Sequence, residues 1–316
     1  VDLTLFSEKI QELKDRIASV IVGQEQTVDL ILTAILANGH VLIEGVPGVA
    51  KTLLARLTAR LIDADFSRVQ FTPDLMPSDV LGTTVFNMKT NGFDFHQGPI
   101  FADIVLVDEI NRAPAKTQAA LFEVMEERQI SIDGTTHRMG DLYTILATQN
   151  PVEQEGTYKL PEAQLDRFLM KITMDYPSLE EEVNILERHH TNAALVKLDD
   201  ITPAITKEEL LSLRAFMNQV FVDRTLLQYI ALIVQQTRTS KAVYLGASPR
   251  ASVAMLQSSK AYALLQGRDF VTPEDIKFVA PYVLQHRLIL TAEAEMEGYS
   301  PVKVTQRLID KVEVPK

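Results

Sequence analysis

The stretch Ile43–Thr52, IEGVPGVAKT, nearly matches the phosphate-binding pattern G-x-x-x-x-G-K-[ST], with Ala50 where the last glycine belongs. The loop Gly45-Val46-Pro47-Gly48-Val49-Ala50, with Lys51, Thr52 and Leu53 opening a helix, would wrap a polyphosphate. Backbone amides and the helix N-terminus cradle the phosphates, Lys51 reaches the β and γ oxygens, and the Thr52 hydroxyl holds Mg²⁺. Ala50 sits at the start of that helix, so a negative φ is expected there, with Gly48 taking the dihedrals that need a missing side chain. Alone, a pattern with one mismatch is equally a turn without function.

A second element follows downstream. The apolar run IVLV ends in Asp108-Glu109, one carboxylate for a metal and the next to polarise water. Two adjacent acids also make a solvated turn, but their place one strand-helix module after the loop favours chemistry. The run YTILATQN delivers Asn150 just past another apolar strand, where an amide could hold the attacking water or read the γ-phosphate. Arg167, immediately before a strand, and Arg250, in the first turn of a helix, are permanently charged forks suited to a transferring phosphoryl group.

These groups need elements to position them. Between His40 and Asp175, β-type runs (HVLI, SRVQF, DIVLV, YTILAT and FLMKITM) alternate with amphipathic helical stretches such as KTLLARLTARL. Near-continuous Val, Ile and Leu fits strands buried on both faces, and the alternation predicts an α/β doubly wound parallel sheet. VFNMKTNGFDFH, centred on Asn91-Gly92, and QISIDGTTHRM, centred on Asp133-Gly134, predict two inserted hairpins with two-residue turns. After Tyr176-Pro177-Ser178 the strand signals stop. Helix-start signals at Thr206, Ser248-Pro249 and Thr272-Pro273 then predict a smaller all-helical second domain, with Gly267 ending the helix begun at Ser248. The expected division is 1–177, including an amphipathic N-terminal helix, and 178–316.

Composition narrows the classes. The 316 residues carry a net charge of -11, no cysteine and no long basic run, which argues against nucleic acid as a partner and excludes disulfides and thiol chemistry. No apolar run reaches the ~20 residues of a membrane span. A soluble cytoplasmic protein is expected, and because the chain opens on Val1 an initiator residue is expected to have preceded it.

Together IVGQ (Ile21–Gln24), GVPGVAKT, LVDEINRAPAKTQAALFEVMEERQISIDG, LATQNPVEQEGTYKLPEAQLDRF and GASPRAS resemble the MoxR family of AAA+ ATPases, in order and spacing, from about residue 15 to about 290. That family's loop commonly reads G-x-P-G-x-A-K-T, which accommodates Ala50; Lys159 stands where relatives tend to have Pro. The resemblance implies a P-loop AAA+ sheet domain followed by a helical lid, with ATP and Mg²⁺ as cofactors. Gly45, Gly48, Lys51 and Thr52 would form Walker A, and Asp108 and Glu109 Walker B, with Thr52 and Asp108 on the metal. Asn150 would be sensor 1, and Arg250 sensor 2, reaching from the lid to the γ-phosphate. Arg167 would be an arginine finger acting on a neighbouring subunit's ATP, and Val22, Gly23 and Gln24 would lie near the adenine. It further implies a ring, expected as a hexamer, and chaperone-like maturation of complexes or metal sites with partners carrying a von Willebrand factor A domain. A metal-chelatase ATPase subunit, a helicase-like nucleic-acid motor and a switch without hydrolysis are the competing readings.

Overall fold

The computed structural model describes residues 2–151, 156–191 and 198–314, so residues 152–155 of the stretch from Leu146 to Phe168 lie outside it. The chain begins with helices α1 (Leu3–Val20) and α2 (Glu25–Leu36), then strand β1 (Val41–Gly45) and α3 (Lys51–Leu61). β2 (Phe66–Gln70) and the short α4 (Pro77–Leu81) lead into a hairpin of β3 (Gly82–Asn87) and β4 (Gly92–Gln97). β5 (Ile104–Asp108), a 3-10 turn at Ile110–Arg112 and α5 (Ala115–Glu127) precede a second hairpin, β6 (Gln129–Ile132) and β7 (Thr135–Arg138). β8 (Thr144–Gln149), the one-turn α6 (Glu162–Leu165) and β9 (Met170–Met174) complete the sheet.

The remainder is α7 (Leu179–His190), α8 (Lys207–Phe216), α9 (Arg224–Thr239), β10 (Val243–Leu245), α10 (Pro249–Leu265), α11 (Pro273–Leu284), β11 (Ile289–Leu290), α12 (Ala292–Met296) and α13 (Pro301–Lys311). β10 and β11 pair antiparallel, a small sheet that the expectation of helices alone did not include. The helix starts follow the cap chemistry: Thr206 and Thr272 each accept from the amide three residues on, and each is answered by an acid there. Gly267, at φ +72, follows the end of α10.

All five strands of the main sheet run parallel in the order β2-β5-β8-β1-β9, so β5, β8 and β1 are central. Alternation along the strands divides the core. Val41, Ile43, Ile104, Leu106, Leu146 and Ile172 pack with α1, α2, α3 and the C-terminal helices. Leu42, Val105, Val107, Ile145 and Ala147 pack on the opposite face with α5. Because side chains alternate with period two, both faces of each central strand are buried, as the unbroken apolar runs require. The first core is continuous from the sheet into α9, α10 and α11.

The two hairpins differ at their turns. Ile132 pairs with Thr135 across Asp133 (φ 49) and Gly134 (φ 77), the expected two-residue turn. In the first hairpin Asn87 pairs with Gly92, so the connection is the four residues 88–91 and not a two-residue Asn-Gly turn. Gly92 extends the strand, while Asn91 supplies the positive φ.

Candidate functional site

Gly45, Asp108 and Gln149 end the three adjacent strands β1, β5 and β8 on the same side of the sheet, since the strands are parallel and in register. The β1–α3 loop, the Asp108-Glu109 pair and Asn150 therefore converge at one crevice, the usual ligand position in an open α/β sheet. Within it Lys51 Nζ donates to the Gly45 carbonyl at 2.7 Å, curling the side chain back over its own loop. Burial holds the Lys51 ammonium below the ordinary lysine range, and the Asp108 and Glu109 carboxylates oppose that shift. A half-buried cation on a neutral carbonyl at the head of an 11-residue helix fits an anionic ligand.

The loop corrects one expectation. Gly48 has φ +90, as its role requires, but Ala50 is at φ 59, ψ 23 and not at negative φ. Ala50 is the N-cap of α3, a half-in position whose dihedrals are not helical, and its carbonyl already accepts from the Leu54 amide. The reversal from loop to helix thus uses two left-handed residues rather than one.

Asp108 is buried and bridged by the Thr148 hydroxyl, 3.1 Å from Oδ1, and by Arg68 Nε, 2.6 Å from Oδ2. Glu109 turns the chain out of the strand in a left-handed conformation, φ 55 and ψ 52, the kind of backbone strain concentrated at functional sites. Its amide donates to the same Thr148 Oγ1 at 3.0 Å, while Gln70 Nε2 (2.9 Å) and Arg112 Nε (3.1 Å) hold its carboxylate. Thr148 and Gln70 were not anticipated. Their signal, a polar residue near the carboxyl end of a strand, is visible only once the strand order puts β2 and β8 on either side of β5. Asn150 is buried one residue past β8.

No cluster of three or more His, Asp and Glu able to hold a metal occurs among the described residues. A cation held by Thr52 and Asp108 would therefore complete its shell with phosphate oxygens and water, the usual manner of Mg²⁺. Val22, Gly23 and Gln24 line a cavity of about 440 Å³ together with Lys14, Asp29 and Arg188. Gly23 is pressed on Glu181 of α7 so closely that a Cβ would lie 2.0 Å from Oε1.

The two arginines are elsewhere. Arg167 precedes β9, beside the start of β1, where the Leu169 amide donates to the His40 carbonyl. From there to Gly45 and Met174 is five residues, about 16 Å at ~3.3 Å per residue. Arg167 Nη2 pairs with Glu126 at 2.7 Å and its guanidinium lies over the Phe122 ring. Arg250 does not stand over its own loop either. Its Nη2 lies 3.1 Å from the same Glu126, and its Nη1 3.7 Å from Asp166. The packing of α10 against α2 and α11 carries the start of the helix to this end of the sheet.

Residues 40–170 match the profile of the ATPase family associated with various cellular activities (AAA), and residues 235–310 match that of the AAA lid domain. The chain is 47% identical to the uncharacterized protein YeaC of Bacillus subtilis over 95% of this chain and 93% of that protein. It is 44% identical to Chaperone MoxR1 of Mycobacterium tuberculosis, over 94% of this chain and 80% of that protein. A crystal structure from Cytophaga hutchinsonii, 40% identical, superimposes with a TM-score of 0.91 and covers 100% of this chain and 97% of its own.

Proposed function

The chain belongs to the MoxR family of AAA+ ATPases, and from that premise we propose that it hydrolyses ATP at a site shared between two subunits of a ring. One observation carries the reading: Lys51 and Asp108 stand at the carboxyl ends of the strands, whereas Arg167 and Arg250 share Glu126 at the opposite end. Neither arginine can serve its own loop across about 16 Å of sheet. Both are presented outward, so a neighbouring subunit's γ-phosphate is their natural target.

In this reading the loop from Gly45 to Ala50, with Lys51, Thr52 and Leu53, holds the phosphates, while Val22, Gly23 and Gln24 border the base. Bound Mg²⁺, held by Thr52 and Asp108, would neutralise charge on the β- and γ-phosphoryl oxygens. Glu109 orients the attacking water and Asn150 fixes it against the γ-phosphate. The Gln70 and Arg112 contacts hold Glu109 aside until ATP arrives. Arg167 and Arg250 of the neighbour offset the charge developed in transfer, so hydrolysis depends on assembly.

A hexamer is the proposed ring, and remodelling or maturation of a protein client the proposed work, a chaperone role that the relative's name supports. A client carrying a von Willebrand factor A domain and a cytoplasmic setting belong to the same proposal. No helix among the described residues is long and apolar enough to cross a membrane.

Subunit mixing tests the shared site. Lys51→Ala and Arg167→Ala proteins should each be inactive alone, and should recover turnover when combined. A mixture as inactive as its components would refute a shared site.

A further inference from the structure

Beyond the two arginines that face outward lies a third that does not. Arg287, just past the end of α11, has a side chain only 5% exposed and is wrapped by acceptors. Its Nε donates to Asp166 Oδ1 at 2.7 Å, and its Nη2 to the carbonyls of Asp166 (3.1 Å) and Phe168 (2.8 Å). Its Nη1 reaches the carbonyls of Leu169 (3.1 Å) and Val283 (2.5 Å). The two preceding residues act on the same segment: His286 Nε2 donates to the Phe168 carbonyl at 3.0 Å and Gln285 Nε2 to that of Lys171. Three consecutive side chains from the lid thus grip the backbone that carries Arg167.

The charges form a chain that begins at a buried group: Arg287, Asp166, Arg250, Glu126, Arg167. Asp166 offers Oδ1 to Arg287 and Oδ2 to Arg250; Glu126 offers Oε1 to Arg250 and Oε2 to Arg167. Three guanidinium groups meet two carboxylates, so the array keeps a surplus positive charge. Side-chain exposure rises from Arg287 at 5% through Arg167 at 29% to Arg250 at 61%, so the surplus lies toward the outside. Arg287 itself, with a side chain 5% exposed, leaves almost no surface for a neighbour to touch.

We infer that Arg287 is a positioning residue for catalysis on the adjacent subunit: through Asp166 and the backbone of 166–169 it locks lid and sheet together, so that Arg167 and Arg250 are presented as one preformed pair. This rests on the shared-site reading. Its physical basis is that five donors in a planar fork fix five acceptors at once, which a lysine ammonium cannot reproduce. A fork that is lost lets the two arginines shift independently, and a displacement of about 1 Å can cost ~10²-fold in rate.

Directional mixing tests it. In the pair Lys51→Ala (arginines intact) plus Arg167→Ala (own phosphate loop intact), only the first subunit supplies both arginines to an intact loop. Arg287→Lys placed in the Lys51→Ala subunit should lower kcat about 10²-fold while KM for ATP is unchanged. The same substitution placed in the Arg167→Ala subunit should preserve the activity of the parental pair, and that arm also shows that the variant folds and assembles. Asp166→Asn should follow the same directional pattern. Equal loss in both placements, or no loss in the first, overturns the role of Arg287 alone. A parental pair that never regains turnover overturns the shared site and this inference with it.

Discussion

Ala50→Gly should make the protein more stable, although it inserts the most flexible residue at the start of a helix. In the left-handed region, φ 59 and ψ 23, an L-residue bears a strain of about 1–2 kcal/mol from its Cβ. Glycine escapes that strain but adds about 0.5–1 kcal/mol of backbone freedom to the unfolded chain. At the middle of both ranges the difference favours the variant by about 0.75 kcal/mol. Gly48→Ala is the mirror experiment. At φ +90 a methyl there would meet nothing within 4 Å, so its cost is backbone strain alone, and the same arithmetic predicts a loss of at least about 0.75 kcal/mol. Urea titration of the nucleotide-free proteins measures both. With a slope of about 3 kcal/mol/M, the midpoint should rise by about 0.2–0.3 M for Ala50→Gly and fall by at least as much for Gly48→Ala. If Ala50→Gly lowered the midpoint at unchanged slope, the methyl would be contributing packing that outweighs its strain, and the account of the loop would fail.

Thr148→Val removes the hydroxyl that joins Asp108 to the Glu109 amide; the unpaired groups should cost about 1–3 kcal/mol of stability, and ATP turnover should drop more than ATP affinity, as steady-state kinetics beside equilibrium binding will reveal. Arg250→Ala should reduce turnover about 10³-fold yet bind a fluorescent ATP analogue as the parent does; full turnover would remove Arg250 from the chemistry. His40 is fully buried between β1, β8 and α5, where its Nδ1 accepts from the Ile145 amide and its Nε2 donates to the Met125 carbonyl. Burial lowers its pKa from 6.5 to about 3, with nearby Arg128 acting in the same direction. The unfolded chain therefore binds a proton below pH 6.5 that the folded chain refuses, so this group's contribution is intact above pH 6.5 and is lost progressively toward pH 3. At pH 5 the loss is about 2 kcal/mol, and His40→Gln should show a shallower fall in urea midpoint between pH 7 and pH 5.

Much of this architecture is legible along the chain because it depends on neighbours in sequence. Buried parallel strands are unbroken apolar runs, caps lie three residues from their partners, and Asp133-Gly134 makes its own turn. The phosphate loop and the Asp108-Glu109 pair are local in the same sense. Other features are not. The Asn91-Gly92 pair looked like a two-residue turn, but the strand register spends Gly92 on pairing. Ala50 takes positive φ because the loop must turn into α3 at that point, a demand that residue preference does not display. Thr148 joins Asp108 from 40 residues away, and it does so only because β8 lies beside β5. The sequence by itself determined the elements and the residue types able to handle a phosphoryl group. Tertiary structure alone decided which of them share a site: strand order gathers Lys51, Asp108 and Asn150 at one end of the sheet. Docking of α10 and α11 carries Arg250 and Arg287 to the other, beside Arg167. The physical reason is range, since periodicity reports which face a side chain presents, while its partners across 40 to 120 residues are set by how whole elements pack.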